Sequence, residues 1–343
     1  MRHARGFTLI EVGAVTAVLS VGAAVVMPQF QEARATARQL KDSTQLRGIT
    51  QACAIWAQNT DERYPVPSRI DRKGVTLPRP ADLPADARDL RLDTTGNTLS
   101  LLIWNGFIPW NLTVSPAEVG NVEVIKNYQT ATPTTAVDPN ACLWDPAFRG
   151  TPLDHWGGKV PGEVGDASHN SYAQVAYFGA RESMWGNTFK ATEACWANRG
   201  AAYVLRDDQW HPLAGSTFGD GSKTMKIHGP PDSWAGNIAF NDQHVSFVER
   251  PDPEMLVWAF AGLEGDGERH LPDNVFHSER DQNRWLIDEQ IELVTEHDGR
   301  GSVFATGKNG GTGALDQRNA YLRPISTVVP GEGDALKAHV WID

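Results

Sequence analysis

The sequence predicts an α+β protein: a long, kinked N-terminal α-helix, membrane-embedded in its first half, packed against a head with an antiparallel β-sheet and long loops. Three observations lead there. Residues 7–27 carry a single charge, Glu11, and an apolar run of this length is about what a helix needs to cross a bilayer core. Good helix formers then continue through about Gln58, with no proline after Pro28. Beyond residue 61, short alternating apolar segments are separated by stretches rich in Pro, Gly, Asn and Asp. The organisation expected is a leader over 1–6, a membrane helix over 7–28, an extracytoplasmic continuation over 29–60 and one head over 61–343.

The leader, Met1-Arg-His-Ala-Arg-Gly6, is basic, and basic residues just before a span stay in the cytoplasm. The head is therefore expected outside. Pro28 cannot donate to the carbonyl of Ala24 and its ring crowds that turn, which predicts a kink. Two apolar sets follow at helical spacing: Phe30, Ala33, Ala37 and Leu40, then Leu46, Ile49, Cys53 and Trp56. The step from Leu40 to Leu46 displaces the second set by about a third of a turn. The helix thus changes the side it buries, as a helix does that first meets neighbouring subunits and then its own head; a bent helix inside one domain would read the same way.

The stretch Gly6-Phe7-Thr8-Leu9-Ile10-Glu11-Val12 resembles the processing motif of type IV prepilins and type II secretion pseudopilins. The resemblance covers roughly the first sixty residues. It implies cleavage after Gly6 by a membrane prepilin peptidase, methylation of the new N-terminus at Phe7, and an assembly role for Glu11 at the fifth mature position. Pro28 sits where the family also places a proline. An ordinary signal peptide would be cut after its apolar stretch, and Val25-Val26-Met27-Pro28 is a poor site for that. A plain anchor leaves Glu11 unexplained, since an unpaired carboxylate in a span costs on the order of a few kcal/mol.

In the head, Asn59 to Pro67 ends the long helix and Pro78, Pro80 and Pro84 keep the next stretch irregular. Residues 97–108 read as a short helix stopped by Asn105-Gly106. Strands are expected around Val122–Ile125, at Tyr172–Phe178, Ala202–Leu205, Gln290–Thr295 and His339–Ile342. Residues 237–248 form a hairpin pattern around Asn241-Asp242-Gln243. It resembles the Asp-Gly-His-Val hairpin of planctomycete-type pseudopilin-like proteins with large heads, with Gln243 in place of the glycine that best tolerates positive φ. Asp252-Pro253-Glu254 has the features of a helix start, predicting a helix over 254–262.

The net charge of −11 and pI near 5.4 argue against nucleic-acid contact. Arg34, Arg38 and Lys41 are the one basic cluster, read as a solvated helix face close to lipid headgroups. Of the three cysteines, Cys142 and Cys195 are the pair expected to form a disulfide in an oxidising compartment, three buried free thiols being the alternative. His228, Asp242 and His244 are the best metal-like set, although strand alternation and turn chemistry explain them without a metal. The resemblance also raises calcium in a head loop, for which Asp220, Asp266 and Asp298 beside glycines are the candidates; no other cofactor is expected.

Gly301–Lys308 departs from a phosphate-binding loop, residues 307–313 read as a flexible surface loop, and neither a nucleophile elbow nor a Cys/His pair stands out. His155, His169, His211 and His270 are scattered through loops.

The function expected is assembly, not enzymology. The chain reads as a single-pass protein of the bacterial cytoplasmic membrane, N-terminus cytoplasmic and head periplasmic. Its partners would be the prepilin peptidase, other pilin or pseudopilin subunits, the assembly machinery and membrane lipid, and its site a type II secretion or type IV pilus filament at the envelope or cell surface. The rival is a membrane-tethered enzyme working through His228, Asp242 and His244, or a carbohydrate binder using Trp144, Trp156, Trp185 and Trp210.

Overall fold

The computed structural model describes residues 8–152, 167–230, 233–260, 269–278, 303–305, 318–330 and 336–342. Helix α1 runs unbroken from Leu9 to Ala57, passing through Pro28, and is about 74 Å long at 1.5 Å per residue. Thr8 caps its start and Gln58 its end. Asp61 and Glu62 take positive φ (52° and 59°) in the turn that follows.

The two apolar stripes part as their spacing requires. Leu46, Ile49 and Cys53 are fully buried and Trp56 packs partly buried beside them, while Phe30 and Leu40 are 62% and 64% exposed. From Thr8 to Arg38 every side chain described is exposed, and Gln39 is the first to meet the head. The change of face thus coincides with the helix entering its own head.

The strands are β1 (Tyr172–Val175), β2 (Ala194–Asn198), β3 (Tyr203–Arg206), β4 (Gln209–Pro212), β5 (Gly236–Phe240), β6 (Val245–Val248), β7 (Val257–Phe260), β8 (Arg269–Pro272), β9 (Val303–Ala305), β10 (Leu322–Arg323), β11 (Ile325–Pro330) and β12 (Leu336–Val340). The main sheet is antiparallel, in the order β10-β1-β2-β5-β6, and the second half of α1 lies along β2, β5 and β6. Trp185, Trp196, Tyr172, Tyr177 and Phe240 fill the core with the helix's Leu46, Ile49 and Cys53. A smaller sheet, β11-β12-β9, and the ribbons β3–β4 and β7–β8 complete the strand pairing described.

Two short helices, α2 (Pro67–Ile70) and α3 (Thr95–Trp104), precede the sheet. Thr94 caps α3 through the Asn97 N–H, and Asn105 with Gly106 at φ +74° stops it, as the Asn-Gly pair predicts. The hairpin β5–β6 also forms. Gln243 adopts φ +73° in its loop, where its N–H donates to Phe240 O (2.8 Å), so the strands tolerate a non-glycine in the left-handed position.

Two expectations are corrected. Residues 254–260 are not helical: Leu256 N closes a turn on Pro253 O, and Val257, Trp258 and Phe260 enter β7 against β8. β-branched and aromatic side chains suit a pleated ribbon once a partner strand is there, which outweighs the favourable Pro253 start. Around Val122–Ile125 one bridge, Val122 to Ser168, is made among the described residues, and the segment runs otherwise irregular. The expectation at Gln290–Thr295 lies outside the described residues.

Candidate functional site: the bare helix and its anchor in the head

At the start of α1, Glu11 and Thr8 form a capping box. The Glu11 carboxylate accepts from Thr8 N (2.8 Å) and Thr8 Oγ1 (2.9 Å), and Thr8 Oγ1 accepts from Glu11 N (3.3 Å). Glu11 Oε2 is therefore held by its own helix end. The hydroxyls of Thr16 and Ser20 are also tied inward, to Val12 O and Thr16 O, so neither requires water. This half of α1 is long and apolar enough to cross a membrane, with none of its most apolar stretch buried in the protein. Gly6 and Phe7 lie outside the described residues.

The anchor lies where the two stripes exchange, and it centres on a residue that the sequence reading passed over. Asp42 is fully buried. Its Oδ1 accepts from the Tyr172 hydroxyl (2.7 Å); its Oδ2 accepts from Asn198 Nδ2 (2.7 Å) and Asn237 Nδ2 (3.0 Å) and lies 2.8 Å from His228 Nε2. Gln39 on the preceding turn donates to Asn237 Oδ1, and Gln45 on the next donates to Val114 O.

Burial alone would raise the Asp42 carboxyl, but the His228 hydrogen bond and charge, with Ser115 and Tyr172, hold it below its ordinary range. Burial and the Asp42 charge push the Tyr172 phenol well above its own. A carboxylate so fully engaged is a poor base or ligand and a good clamp: it fixes α1 to β1, β2, β5 and the His228 loop at once. The signal in the sequence was an acid on the boundary between the stripes. Its partners are spread from residue 115 to 237, so no spacing could reveal them.

The structure separates the metal-like set. His228 belongs to the Asp42 clamp beside the start of β5, whereas Asp242 and His244 pair with each other (2.5 Å) at the turn beyond the end of β5, with His244 stacked on Phe240. Burial alone would raise the Asp242 carboxyl, but the hydrogen bonds and charge of His244 together hold it below its ordinary range. No group of three or more His, Cys, Asp or Glu that could hold a metal occurs among the described residues. Of the calcium candidates, Asp220 accepts from Gly215 N (2.9 Å) in an ordinary loop closure, and Asp266 and Asp298 lie outside the described residues.

The Cys142–Cys195 disulfide is not formed; all three cysteines are buried free thiols. Cys195 sits on β2 in the main core with Cys53, its thiol on Ala239 O, whereas Cys142 lies in a loop with its thiol on Pro139 O. Burial pushes Cys53 to about 12 and Cys195 well up, so both are inert thiols.

Trp144 and Trp185 are buried at 0% and 2% and Trp210 is half-buried against His277, so these rings build core and not an exposed platform. Trp156 and His155 lie outside the described residues. His169 accepts from Arg149 N on its Nδ1, and His211 and His270 sit on β4 and β8. The basic cluster Arg34, Arg38 and Lys41 is exposed along α1 just before the anchor. No protein-family model, curated protein or solved structure matches the chain.

Proposed function

We propose that this chain is a structural pilin- or pseudopilin-like subunit. It is stored by one span in the bacterial cytoplasmic membrane with its head in the periplasm, cut after Gly6 by a prepilin peptidase, and packed with other such subunits into a type II secretion or type IV pilus filament. The observation that carries this is the placement of Gly6-Phe7-Thr8-Leu9-Ile10-Glu11 at the start of a helix whose described side chains from Thr8 to Arg38 are all exposed.

Lipid accounts for covering the lower part of that helix, where Leu9, Ile10, Val18 and Leu19 are open. It does not account for Phe30 and Leu40, which are apolar, exposed and beyond one bilayer-length of the start. A neighbouring subunit's helix supplies that cover. The missing Pro28 N–H gives the two parts of α1 a place to bend relative to each other.

Glu11 fits the same scheme. Before assembly the Thr8 capping box holds one of its oxygens; after cleavage the amine of Phe7 becomes a cation at the same depth, and a neighbour's Glu11 offsets its desolvation. N-terminal sequencing or intact mass of the protein from cells with an active prepilin peptidase tests the reading. The expected start is a methylated Phe7. A start after Met27 would make the segment a signal peptide, and an intact Met1 would make it a plain anchor.

A further inference from the structure

At the end of α1 away from Thr8, the turn after Ala57 meets the loop that follows the sheet's first strand, and the two enclose an open cleft of about 530 Å³. One wall holds an unequal set of charges. Glu182 Oε1 takes Arg69 Nη2 at 2.5 Å, Arg88 Nη1 at 3.3 Å and Arg63 Nη1 at 3.5 Å. Arg88 has a second carboxylate, buried Asp93, at 3.2 Å. Arg63 and Arg69 thus share one carboxylate, and both guanidiniums remain open to the cleft, with side chains 50% and 33% exposed. A guanidinium offers five N–H donors, so one shared oxygen at this wall occupies few of them, and Arg69 Nε is buried without a partner among the described residues.

The cleft is also rigidly framed. Asp61 and Glu62 hold consecutive positive φ values although neither is glycine, and such backbone strain concentrates at functional sites. Arg63 bridges Gly186, Glu62 O accepts from Asn187 N (2.8 Å), and Trp185 Nε1 donates to Pro65 O (2.9 Å). A Cβ on Gly186 would stand 2.5 Å from Glu62 O, so this approach is open only to glycine. The frame sets Arg63 and Arg69 at fixed places on the wall.

We propose that this cleft binds a carboxylate group, taken by Arg63 and Arg69. Planar guanidiniums match a planar carboxylate in geometry and charge. Counted with Glu62, which is held by Asn187 Nδ2 (3.2 Å) and also lines the cleft, the two arginines and two glutamates cancel, so the attraction is to the open guanidinium donors and not to a net field. A singly charged carboxylate meets less repulsion from Glu62 and Glu182 than a phosphate near −2 does. The group belongs either to a small organic acid or to an acidic side chain of a protein partner. The inference stands on the cleft and is independent of how the N-terminus is processed.

The test is calorimetric titration of the full chain in neutral detergent. The probes are propionate, an end-blocked hexapeptide with one glutamate, the same peptide with glutamine, and inorganic phosphate. Binding of propionate, with or without the glutamate peptide, assigns an isolated carboxylate site, and binding of the glutamate peptide alone assigns a protein partner. Arg63→Gln and Arg69→Gln each should weaken binding about tenfold or more, as loss of a charge-assisted hydrogen bond does. Glu182→Gln should strengthen it, because it removes the competing carboxylate, a response that simple damage to the fold would not produce.

The Arg63 side chain makes a single ion pair among the described residues, at 3.5 Å, so its variant guards against misfolding at Arg69. Failure of both carboxylate probes overturns the proposal. So does phosphate binding at least as tight, or unchanged affinity in the two arginine variants.

Discussion

Replacing Asp42 by alanine should release the long helix from the head. The change removes the acceptor of the Tyr172 hydroxyl, of the Asn198 and Asn237 amides and of His228, all within 3.0 Å of one buried carboxylate. Each buried donor left without an acceptor costs about 1–3 kcal/mol, but neighbouring terms do not add. Breaking one member of a buried charged cluster typically costs about 3–5 kcal/mol, and that is the expected loss. In a head of this size it corresponds to a melting point lower by about 6–20 °C.

Asp42→Asn keeps the volume and one oxygen and should cost less. Near-UV circular dichroism of the full chain in detergent reads both. A loss below about 1 kcal/mol for the alanine variant would refute the clamp. The pH dependence has a definite sign: because the folded carboxyl is held low, its contribution is present above the unfolded value of about 4 and is lost as pH falls through the folded one. The gap between wild type and Asp42→Asn should therefore persist at neutral pH and shrink on acidification below about 4.

Two further outcomes follow from burial and titration. Ile49→Ala, in the fully buried stripe, should cost about 2–5 kcal/mol of head stability, whereas Phe30→Ser, on the exposed stripe, should leave the melting point within about 2 °C and reduce subunit association. Asp93 has the opposite pH sign to Asp42: burial, outweighing Ser68 and Arg88, raises its carboxyl to about 6. The folded state then keeps a proton that the unfolded chain releases near pH 4, so stability falls as pH rises from about 4 to 6, by up to about 3 kcal/mol. Asp93→Asn should flatten that slope in denaturation midpoints measured across this range.

The helix and its change of face were legible because periodicity is a local property. Leu46, Ile49 and Cys53 repeat at helical spacing, and burial follows the spacing. The Asn105-Gly106 stop and the turn at Asn241 to Gln243 were readable for the same reason. Strand β2 was not, because Ala194 to Asn198 is buried on both faces and shows no alternation. β7 was read as helix because the amphipathic spacing of Met255, Leu256 and Trp258 is ambiguous over so short a stretch, and the partner strand at Arg269–Pro272 lies beyond it. The clamp was invisible for a deeper reason: Asp42 acquires its meaning from Tyr172, Asn198, His228 and Asn237, which only the folded sheet assembles.

The central claim, assembly through the bare helix, is tested most directly by Glu11→Leu in a strain with no wild-type copy, scored by the fraction of the protein recovered in sheared filaments. The substitution makes the span more apolar, so insertion and cleavage after Gly6 should proceed as in wild type. With no carboxylate to meet a neighbour's Phe7 amine, the account predicts processed protein in the membrane fraction and none in filaments. Recovery of Glu11→Leu in filaments at the wild-type level would contradict it.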